Sequence, residues 1–229
     1  MSRHSLDNAL KSGKLVALAW GVVARPEVPV RWQGVVASLD RILPEAVYVG
    51  GLSALNQSGL GHYVSFDPQI HLYSAAPQPT WLPRLALKEE FVWHGNRRLW
   101  EQRALKQANS LQEEPMEAGW SWRLASPEQA FLELLVGVPD EVSFEHADNL
   151  MQGLSSLSPR RLDALLRACR HVRVKRLFFF FADRHQYPWC RHLYAEDYDL
   201  GAGKRSIVSG GRLDKTYFIT VPESFYGSK

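Results

Sequence analysis

The chain has 229 residues, of which 45% are hydrophobic and 22% are charged, a composition typical of a folded globular protein. This length allows one sizeable domain and a small accessory domain. Uninterrupted apolar runs such as Leu177 to Ala182 are far shorter than the roughly 20 residues of a membrane-spanning helix. Because the N-terminus also lacks an apolar signal segment, we expect a cytoplasmic protein with no membrane partner.

The cysteine content argues against a disulfide framework and against a zinc site built from paired cysteines. The sequence contains two cysteines, Cys169 and Cys190, without the close spacing that such zinc sites use. We expect both thiols to be reduced and Cys169 to be buried.

The net charge of +3 conceals an uneven distribution along the chain. Residues 1–30 carry four basic and two acidic side chains, and residues 126–157 carry six acidic side chains with no Lys or Arg. Residues 158–229 carry 14 basic and 7 acidic side chains, a net +7. Such separation is expected for a basic face that meets phosphate or an acidic partner, but also for solvated helix faces that partly neutralise each other.

The first 30 residues predict a helix followed by a hairpin. Ser2 to Ser12 carries apolar residues at helical spacing and ends before Gly13, which is typical of a helix C-terminus. Leu15 to Trp20 and Val22 to Ala24 are strand-like runs on either side of Gly21. The prolines that follow predict a linker.

Helices and strands alternate in the next part of the chain. Apolar periodicity and turn residues predict helices over Trp32 to Leu43 and Leu52 to Gln57, and strands over Val47 to Val49, Gln69 to Ser74 and Glu90 to His94. Together with the helical second half, this pattern predicts an α+β fold.

Two Ser-Pro pairs predict helix starts in the second half. Ser126 can cap a helix with Pro127 at its first position, and Gln129 can complete a capping box. Ser158 repeats this arrangement at the start of a helix that extends to Arg170. Its apolar residues are Leu162, Leu165, Leu166 and Cys169, which share one face.

The last part of the chain contains a short apolar run and two short predicted strands. Leu177 to Ala182 fits either a buried helix or a buried strand, because periodicity does not distinguish them in a short apolar run. Ser206 to Val208 and Tyr217 to Val221 predict two strands joined through Gly210 and Gly211.

The apolar face of the predicted helix 158–170 places its arginines on or beside the outer face, and the basic residues that follow extend the positive charge. Arginine-rich surfaces bind phosphates and carboxylates, often with two parallel hydrogen bonds. The predicted basic surface consists of Arg160, Arg161, Arg167, Arg170, Arg173, Lys175, Arg176, Lys204, Arg205 and Arg212.

No catalytic, metal or cofactor motif is convincing, so we expect no enzyme activity and no cofactor. The segment Gly201 to Lys204 resembles half a phosphate loop, but Tyr198 stands where its first glycine belongs and Arg205 replaces the Ser/Thr that binds magnesium. Asp183, His185, Cys190 and His192 lack the i, i+4 pairing that places two ligands on one helix face. Asp197 and Asp199 lack the Gly-Ser that a nucleotidyltransferase would place before them.

Several stretches resemble the AbiEi family of antitoxins, and the resemblance covers nearly the whole chain. Each stretch alone is only weakly specific for the family, whereas the order and spacing of the stretches together are more specific. They are LVALAWGVVARP at 15–26, VGGLSALNQSGLGHY at 49–63, QIHLYS at 69–74, ASPEQAFLELL at 125–135, VKRLFFFFADRH at 174–185, PW at 188–189 and LGAGKRSIVSGGRLDKTYFITVP at 200–222.

The resemblance implies a bacterial antitoxin from an abortive-infection, or phage-defence, toxin-antitoxin operon. Such proteins join an N-terminal winged helix-turn-helix, which binds operator DNA, to a larger antitoxin domain. Their partner is an AbiEii-type nucleotidyltransferase toxin, with which a stable complex is not required. The resemblance therefore assigns residues 1–28 to a partial winged helix-turn-helix and residues 29–229 to a mixed α/β antitoxin domain.

One departure from the family pattern concerns the DNA reader. Residues 2–12 match a recognition helix and residues 15–24 a wing, but no room precedes them for two supporting helices. Residues chemically suited to contact phosphates and bases are Arg3, His4, Asn8, Lys11 and Lys14.

Two hypotheses follow from this departure. The first is an antitoxin that also represses its own operon, and the second is an antitoxin that acts by interaction alone. In the second case the terminal helix packs on the main domain. The basic surface could contact DNA, the toxin or the nucleic acid on which the toxin acts.

Overall fold

The computed structural model describes residues 3–61 and 68–226 and confirms the α+β fold. It begins with helix α1 (Arg3–Lys11) and strands β1 (Val16–Ala19) and β2 (Val22–Ala24). The remaining helices are α2 (Trp32–Ile42), α3 (Gly51–Gln57), α4 (Gln102–Gln107), α5 (Pro127–Leu134), α6 (Phe144–Gly153), α7 (Pro159–Ala168) and α8 (Val172–His185). The remaining strands are β3 (Val47–Val49), β4 (Gln69–Ser74), β5 (Glu90–Gly95), β6 (Leu111–Pro115), β7 (Ser121–Ala125), β8 (Arg212–Leu213) and β9 (Thr220–Val221).

The N-terminal helix and hairpin form as predicted, with Ser2 outside the described residues. β1 pairs antiparallel with β2, and the amide of Leu15 donates to the carbonyl of Ala9 at 3.2 Å, which joins the hairpin to the end of α1. This arrangement fits a winged-helix-like element. Within the described part of the chain, the buried hydrophobic side chains begin at Trp32, so α1 and the hairpin contribute none to the core.

The body is built on a mixed five-stranded sheet in the order β5-β4-β3-β7-β6. β4 runs parallel to β5 and antiparallel to β3, whereas β3 runs parallel to β7, and β6 pairs antiparallel with β7. β3 is buried at all three of its positions, as expected for the central strand of such a sheet. The predicted strands at 47–49, 69–74 and 90–94 are therefore confirmed.

The helices of the second half form the rest of the core. Leu162, Leu165 and Leu166 on α7 are fully buried, and Cys169 is buried immediately after that helix, as the sequence predicts. The run 177–182 is helical and lies inside α8, so its ambiguity resolves to a buried helix. Within the described ranges, no helix is both long and apolar enough to cross a bilayer.

Serine hydroxyls cap the N-termini of three of these helices, at Ser126, Ser143 and Ser158. Ser126 accepts from the amide of Gln129 at the start of α5, and Ser158 accepts from the amide of Arg161 at the start of α7, as predicted. The predicted capping box at Ser126 is wrong. The Gln129 side chain turns inward, where it accepts from the Ser110 hydroxyl and donates to Glu133.

The predicted strands at 206–208 and 217–221 are only partly correct, because side chains replace part of the backbone ladder there. β8 and β9 form a short antiparallel pair instead. The Thr220 hydroxyl accepts from the amides of Ile207 and Val208, and the Asp214 carboxylate accepts from the amide of Tyr217. Residues 206–208 therefore form no strand, and of residues 217–221 only Thr220 and Val221 belong to one.

A single buried carboxyl, that of Glu133 on α5, connects the sheet to the helices. Its Oε1 accepts from the Tyr48 hydroxyl of β3 at 2.7 Å, from Nε2 of Gln129 at 2.8 Å and from Nε1 of Trp100 at 3.3 Å. Its Oε2 accepts from the amide of Gly51 at the start of α3 at 3.1 Å. Glu133 is only 1% exposed, so these four protein donors take the place of the water molecules that would hydrate its carboxyl group in the unfolded chain.

The ionisation of Glu133 reflects two opposing effects. Burial raises the pKa of Glu133 from 4.5 to about 7, and the four hydrogen bonds counteract this rise only in part. The folded protein therefore holds the proton of this carboxyl more tightly than the unfolded chain does. It follows that the contribution of Glu133 to stability is complete below pH 4.5 and is lost as the pH rises to about 7.

We expect the Glu133→Gln variant to lose this pH dependence. Between the two pKa values, wild type should lose roughly 3 kcal/mol more of its free energy of unfolding than the variant does, because only wild type must release the buried proton. Denaturant unfolding at a series of pH values measures both curves. An exposed carboxyl variant, Glu113→Gln, should follow wild type, and parallel curves for wild type and Glu133→Gln would contradict the assignment.

Candidate nucleic-acid interface

One face of α1 carries polar side chains that are suited to nucleic acid. His4, Asn8 and Lys11 are exposed and follow each other at i, i+4 and i+7, which places them on one side of the helix. The amide nitrogen of Asn8 lies 3.3 Å from Nε2 of His4, so the two side chains support each other. Lys14 is also exposed, just beyond Gly13, whose positive φ of 71° turns the chain towards the hairpin.

Arg3, the remaining residue predicted to contact DNA, has its backbone in α1, whereas its side chain lies outside the described residues. The other side of α1 presents Leu6, Ala9 and Leu10, which are half-buried. The polar and apolar residues thus separate as in an amphipathic helix that covers part of the protein with one face and leaves the other to solvent.

The hairpin presents a large aromatic side chain that the sequence analysis did not single out. Trp20, at the tip between β1 and β2, is 88% exposed, and Gly21 beside it has a positive φ of 77°. Lys14 and Arg25 flank the hairpin at its base, and both are exposed. The turn was visible in the sequence through Gly21, but the exposure of Trp20 depends on how far the hairpin stands away from the body.

Three arginines of the predicted basic surface are paired with acids. Arg161 lies 3.1 Å from Glu128, Arg167 lies 3.0 Å from Asp163, and Arg170 lies 4.0 Å from Glu101. The acid partners of the first and third come from distant parts of the chain, so the fold neutralises charge that looks unopposed in the local sequence.

The predicted surface position is wrong for Lys175 and Arg176, which are 5% and 2% exposed. α8 is packed on several sides, so its basic residues cannot all face solvent. Arg176 donates to the carbonyls of Leu200, Gly201 and Gly203 at 2.7 to 2.9 Å, and it also reaches the carbonyl of Phe218. Its guanidinium thus fastens the 200–203 loop to the helix.

Arg173 is partly buried as well. Its guanidinium donates to the carbonyl of Val136, and its Nε is buried with no hydrogen-bond partner among the described residues. Arg160, Lys204, Arg205 and Arg212 are exposed. Of these, Arg212 lies over the Tyr226 ring, 4.5 Å from its centre.

The glycine-rich loop at 201–203 is not built like a phosphate loop. Its carbonyls point at the Arg176 guanidinium, whereas a phosphate loop directs its amides at the ligand. Burial and the nearby charge of Arg205 lower the pKa of Arg176, although an arginine side chain stays charged at neutral pH.

The candidate metal ligands near the end of α8 have other partners. Asp183 accepts from the Tyr217 hydroxyl, and His185 lies 2.9 Å from the carboxylate of Asp148. Among residues 3–61 and 68–226, no group of three or more His, Cys, Asp or Glu side chains could hold a metal ion.

The overall fold has a counterpart among solved structures. The crystal structure of the RV2827C protein from Mycobacterium tuberculosis superposes with a TM-score of 0.53 over 96% of this chain and 79% of that chain. The two sequences are 17% identical, so the likeness concerns the fold alone. A comparison with curated proteins found no significant match.

Two family models match consecutive parts of the chain. Residues 1–66 match "Transcriptional regulator, AbiEi antitoxin N-terminal domain", and residues 67–222 match "Transcriptional regulator, AbiEi antitoxin, Type IV TA system". Both describe a class of protein, the transcriptional regulators that serve as antitoxins of type IV toxin-antitoxin systems. Within that class, the chain belongs to the AbiEi antitoxin family.

The boundary between the matched ranges lies between residues 66 and 67, outside the described residues. β3 precedes this boundary and β4 follows it, and the two strands pair with each other. The division of the chain at residues 28 and 29 remains a prediction, supported by the start of the buried core at Trp32.

Proposed function

We propose that this protein represses its own operon by binding operator DNA and neutralises an AbiEii-like nucleotidyltransferase toxin in the cytoplasm. The observation that supports DNA binding most directly is the exposed polar face of α1, with His4, Asn8 and Lys11 in line and Lys14 beyond them. Side chains of these types contact phosphates and base edges when a helix lies against the major groove. The hairpin next to α1 supplies the wing.

The hairpin has dimensions that suit this role. Four residues of a strand span roughly 13 Å, which exceeds the roughly 7.5 Å depth of the minor groove. Lys14 and Arg25 at the base of the hairpin can therefore reach the phosphates while its tip enters a groove. α1 and the hairpin take no part in the buried core of the body, so DNA can approach them without disturbing that core.

We assign neutralisation of the toxin to the body of the protein. The exposed cations that remain from the predicted basic surface are Arg160, Lys204, Arg205 and Arg212. They can act on the toxin itself or on the nucleic acid that the toxin uses, and neither requires a stable complex of the two proteins.

The alternative is an antitoxin that acts by interaction alone. It is favoured by the half-buried state of Leu6, Ala9 and Leu10, since no side chain of α1 whose burial is described is fully covered and a recognition helix needs firm support. In this case α1 and the hairpin pack on the body and do not bind DNA.

We expect Lys11→Glu combined with Lys14→Glu to abolish binding to the operon's own promoter. Each lost phosphate contact should reduce the slope of log affinity against log salt by about 0.9, in addition to the repulsion between the new carboxylates and the DNA backbone. Fluorescence anisotropy with promoter DNA over a series of salt concentrations measures both effects. The matched control is Lys88→Glu, an exposed charge reversal on the body, which should bind like wild type.

The same measurement decides between the two hypotheses. If wild type shows no promoter binding at any salt concentration but still rescues cells that express the toxin, the protein acts by interaction alone. Equal losses in the Lys88→Glu control and in the double variant would contradict a specific role for α1.

For neutralisation, we expect charge reversal at Lys204, Arg205 and Arg212 to prevent rescue of toxin-expressing cells. The triple variant reverses exposed positive charge and leaves the buried Arg176 itself in place. Growth after toxin induction is the readout, and thermal denaturation checks folding. The Lys11 and Lys14 variant should still rescue, and full rescue by the triple variant would place the antitoxin surface elsewhere.

A further inference from the structure

A large cleft lies over β4 and β5, away from the helix and hairpin assigned to DNA. Its volume is about 730 Å³, within the usual range of small-molecule sites. The floor is formed by side chains of β4 and β5, and the opposite wall by the end of α5 and the segment that follows. The polar groups that line it include His71, Tyr73, His94, Arg98, Glu133 and Glu141.

The floor of the cleft is a row of nearly parallel rings. The centres of Tyr73 and His94 are 4.5 Å apart, and those of His94 and His71 are 5.1 Å apart. Tyr73 also stacks on Tyr48, which does not line the cleft, with ring centres 5.9 Å apart. Nδ1 of His71 lies 2.8 Å from Nε2 of His94, so one imidazole donates to the other. Burial, together with His71, lowers the pKa of His94 to about 4, so His94 is uncharged at neutral pH.

Tyr73 brings a hydroxyl group to the cleft. The side chain is only 6% exposed and lines the cleft, yet its hydroxyl forms no hydrogen bond with a residue of the described part of the chain. The carboxylates of Glu133 and Glu141 raise the pKa of Tyr73, in addition to the larger effect of burial. A hydroxyl that is always protonated and has acidic neighbours is suited to hydrogen bonding with a polar ligand.

Two glycines provide the space for this arrangement. A Cβ on Gly50 would lie 2.2 Å from Oε2 of Glu133 and 2.5 Å from the ring of Tyr73. A Cβ on Gly51 would lie 2.7 Å from the Tyr73 hydroxyl, and Gly51 also has a positive φ of 52°. The backbone therefore approaches Tyr73 and Glu133 as closely as only glycine allows.

The rim of the cleft carries opposite charges. Glu141 and Arg98 are exposed, and neither takes part in an ion pair within residues 3–61 and 68–226. His171 also lines the cleft, and its Nδ1 is buried with no hydrogen-bond partner in the described part of the chain. The cleft thus offers one available carboxylate, that of Glu141, on the α5 side and the Arg98 guanidinium on the β5 side.

We propose that this cleft binds a mononucleotide whose base carries an exocyclic amino group. Carboxylates accept hydrogen bonds from the amino groups of bases, and this role falls to Glu141 together with the Tyr73 hydroxyl. A guanidinium binds phosphate through parallel hydrogen bonds, and Arg98 fills that role. The size of the cleft favours a nucleotide over a free amino acid, which has the same two kinds of group but much less bulk.

Isothermal titration calorimetry of the full chain with AMP, GMP, CMP and UMP tests this proposal. We expect saturable one-to-one binding of at least one of the three nucleotides that carry an amino group. UMP should bind about tenfold more weakly or worse, because a site that hydrogen-bonds an amino group discriminates against an analogue that lacks it. The same titration is carried out with free arginine and free glutamine. Binding of either amino acid, without binding of any nucleotide, would overturn the proposed ligand class.

Three variants locate the binding. Tyr73→Phe removes only the hydroxyl, Glu141→Gln removes the rim carboxylate, and Arg98→Gln removes the guanidinium. Each should weaken binding about tenfold, as is typical when one hydrogen bond to a charged or polar ligand group is lost. Tyr194→Phe and Arg191→Gln are matched controls, since both residues are exposed and lie outside the cleft.

The outcomes separate this site from the DNA-binding face. The Lys11 and Lys14 double variant should bind the nucleotide like wild type. Loss of nucleotide binding in that variant, or equal binding by wild type, Arg98→Gln and Glu141→Gln, would overturn the proposal. So would the absence of saturable binding by any of the four nucleotides at millimolar concentration. Because Arg98 and Glu141 lie at the surface, their variants remain informative even if Tyr73→Phe fails to fold.

Discussion

The buried carboxyl of Glu133 is the interaction on which the body of this protein depends. It joins the central strand to α3 and α5 by accepting four hydrogen bonds from groups that have few other partners. A buried carboxyl is costly unless it is fully hydrogen-bonded, and the raised pKa of Glu133 shows that the four donors offset this cost only in part. Removing any one donor would therefore leave a polar group uncompensated. This constraint fixes the position of α5 over the sheet, and with it the wall of the cleft above β4 and β5.

The N-terminal helix and hairpin are independent of that constraint. None of their described side chains belongs to the buried core, and they carry the exposed polar residues and the exposed Trp20. The basic residues of the second half do not all face solvent. Lys175 and Arg176 are buried, and several others form ion pairs with acidic residues. A net charge of +7 over residues 158–229 therefore overstates the positive surface of the body. The chain belongs to a family of transcriptional regulators that serve as antitoxins, and the division between a DNA-binding element and an antitoxin body is our proposal.

Local patterns predicted most of the fold. Serine caps, the apolar face of α7 and the strand-like runs of the sheet depend on short-range physics, and they formed as expected. The predictions that failed involve partners distant in sequence. Gln129 was expected to cap its own helix, but it bonds to Ser110 and Glu133, and Arg176 was expected at the surface, but the carbonyls of the 200–203 loop surround it. Glu133 itself left a trace in the sequence, as an acid within an otherwise apolar run four residues after Gln129. Its four donors come from residues 48–129, and their convergence could not be predicted without the sheet order.

The central claim is that α1 and the hairpin read DNA while the body is free for its antitoxin role. Hydrogen-deuterium exchange of the full chain, with and without operator DNA, tests this claim most directly. The account predicts that DNA slows amide exchange within residues 3–24 and leaves α5, α7 and α8 unchanged. Protection confined to α7 and α8, or no protection of residues 3–24 under conditions where the DNA is bound, would contradict it.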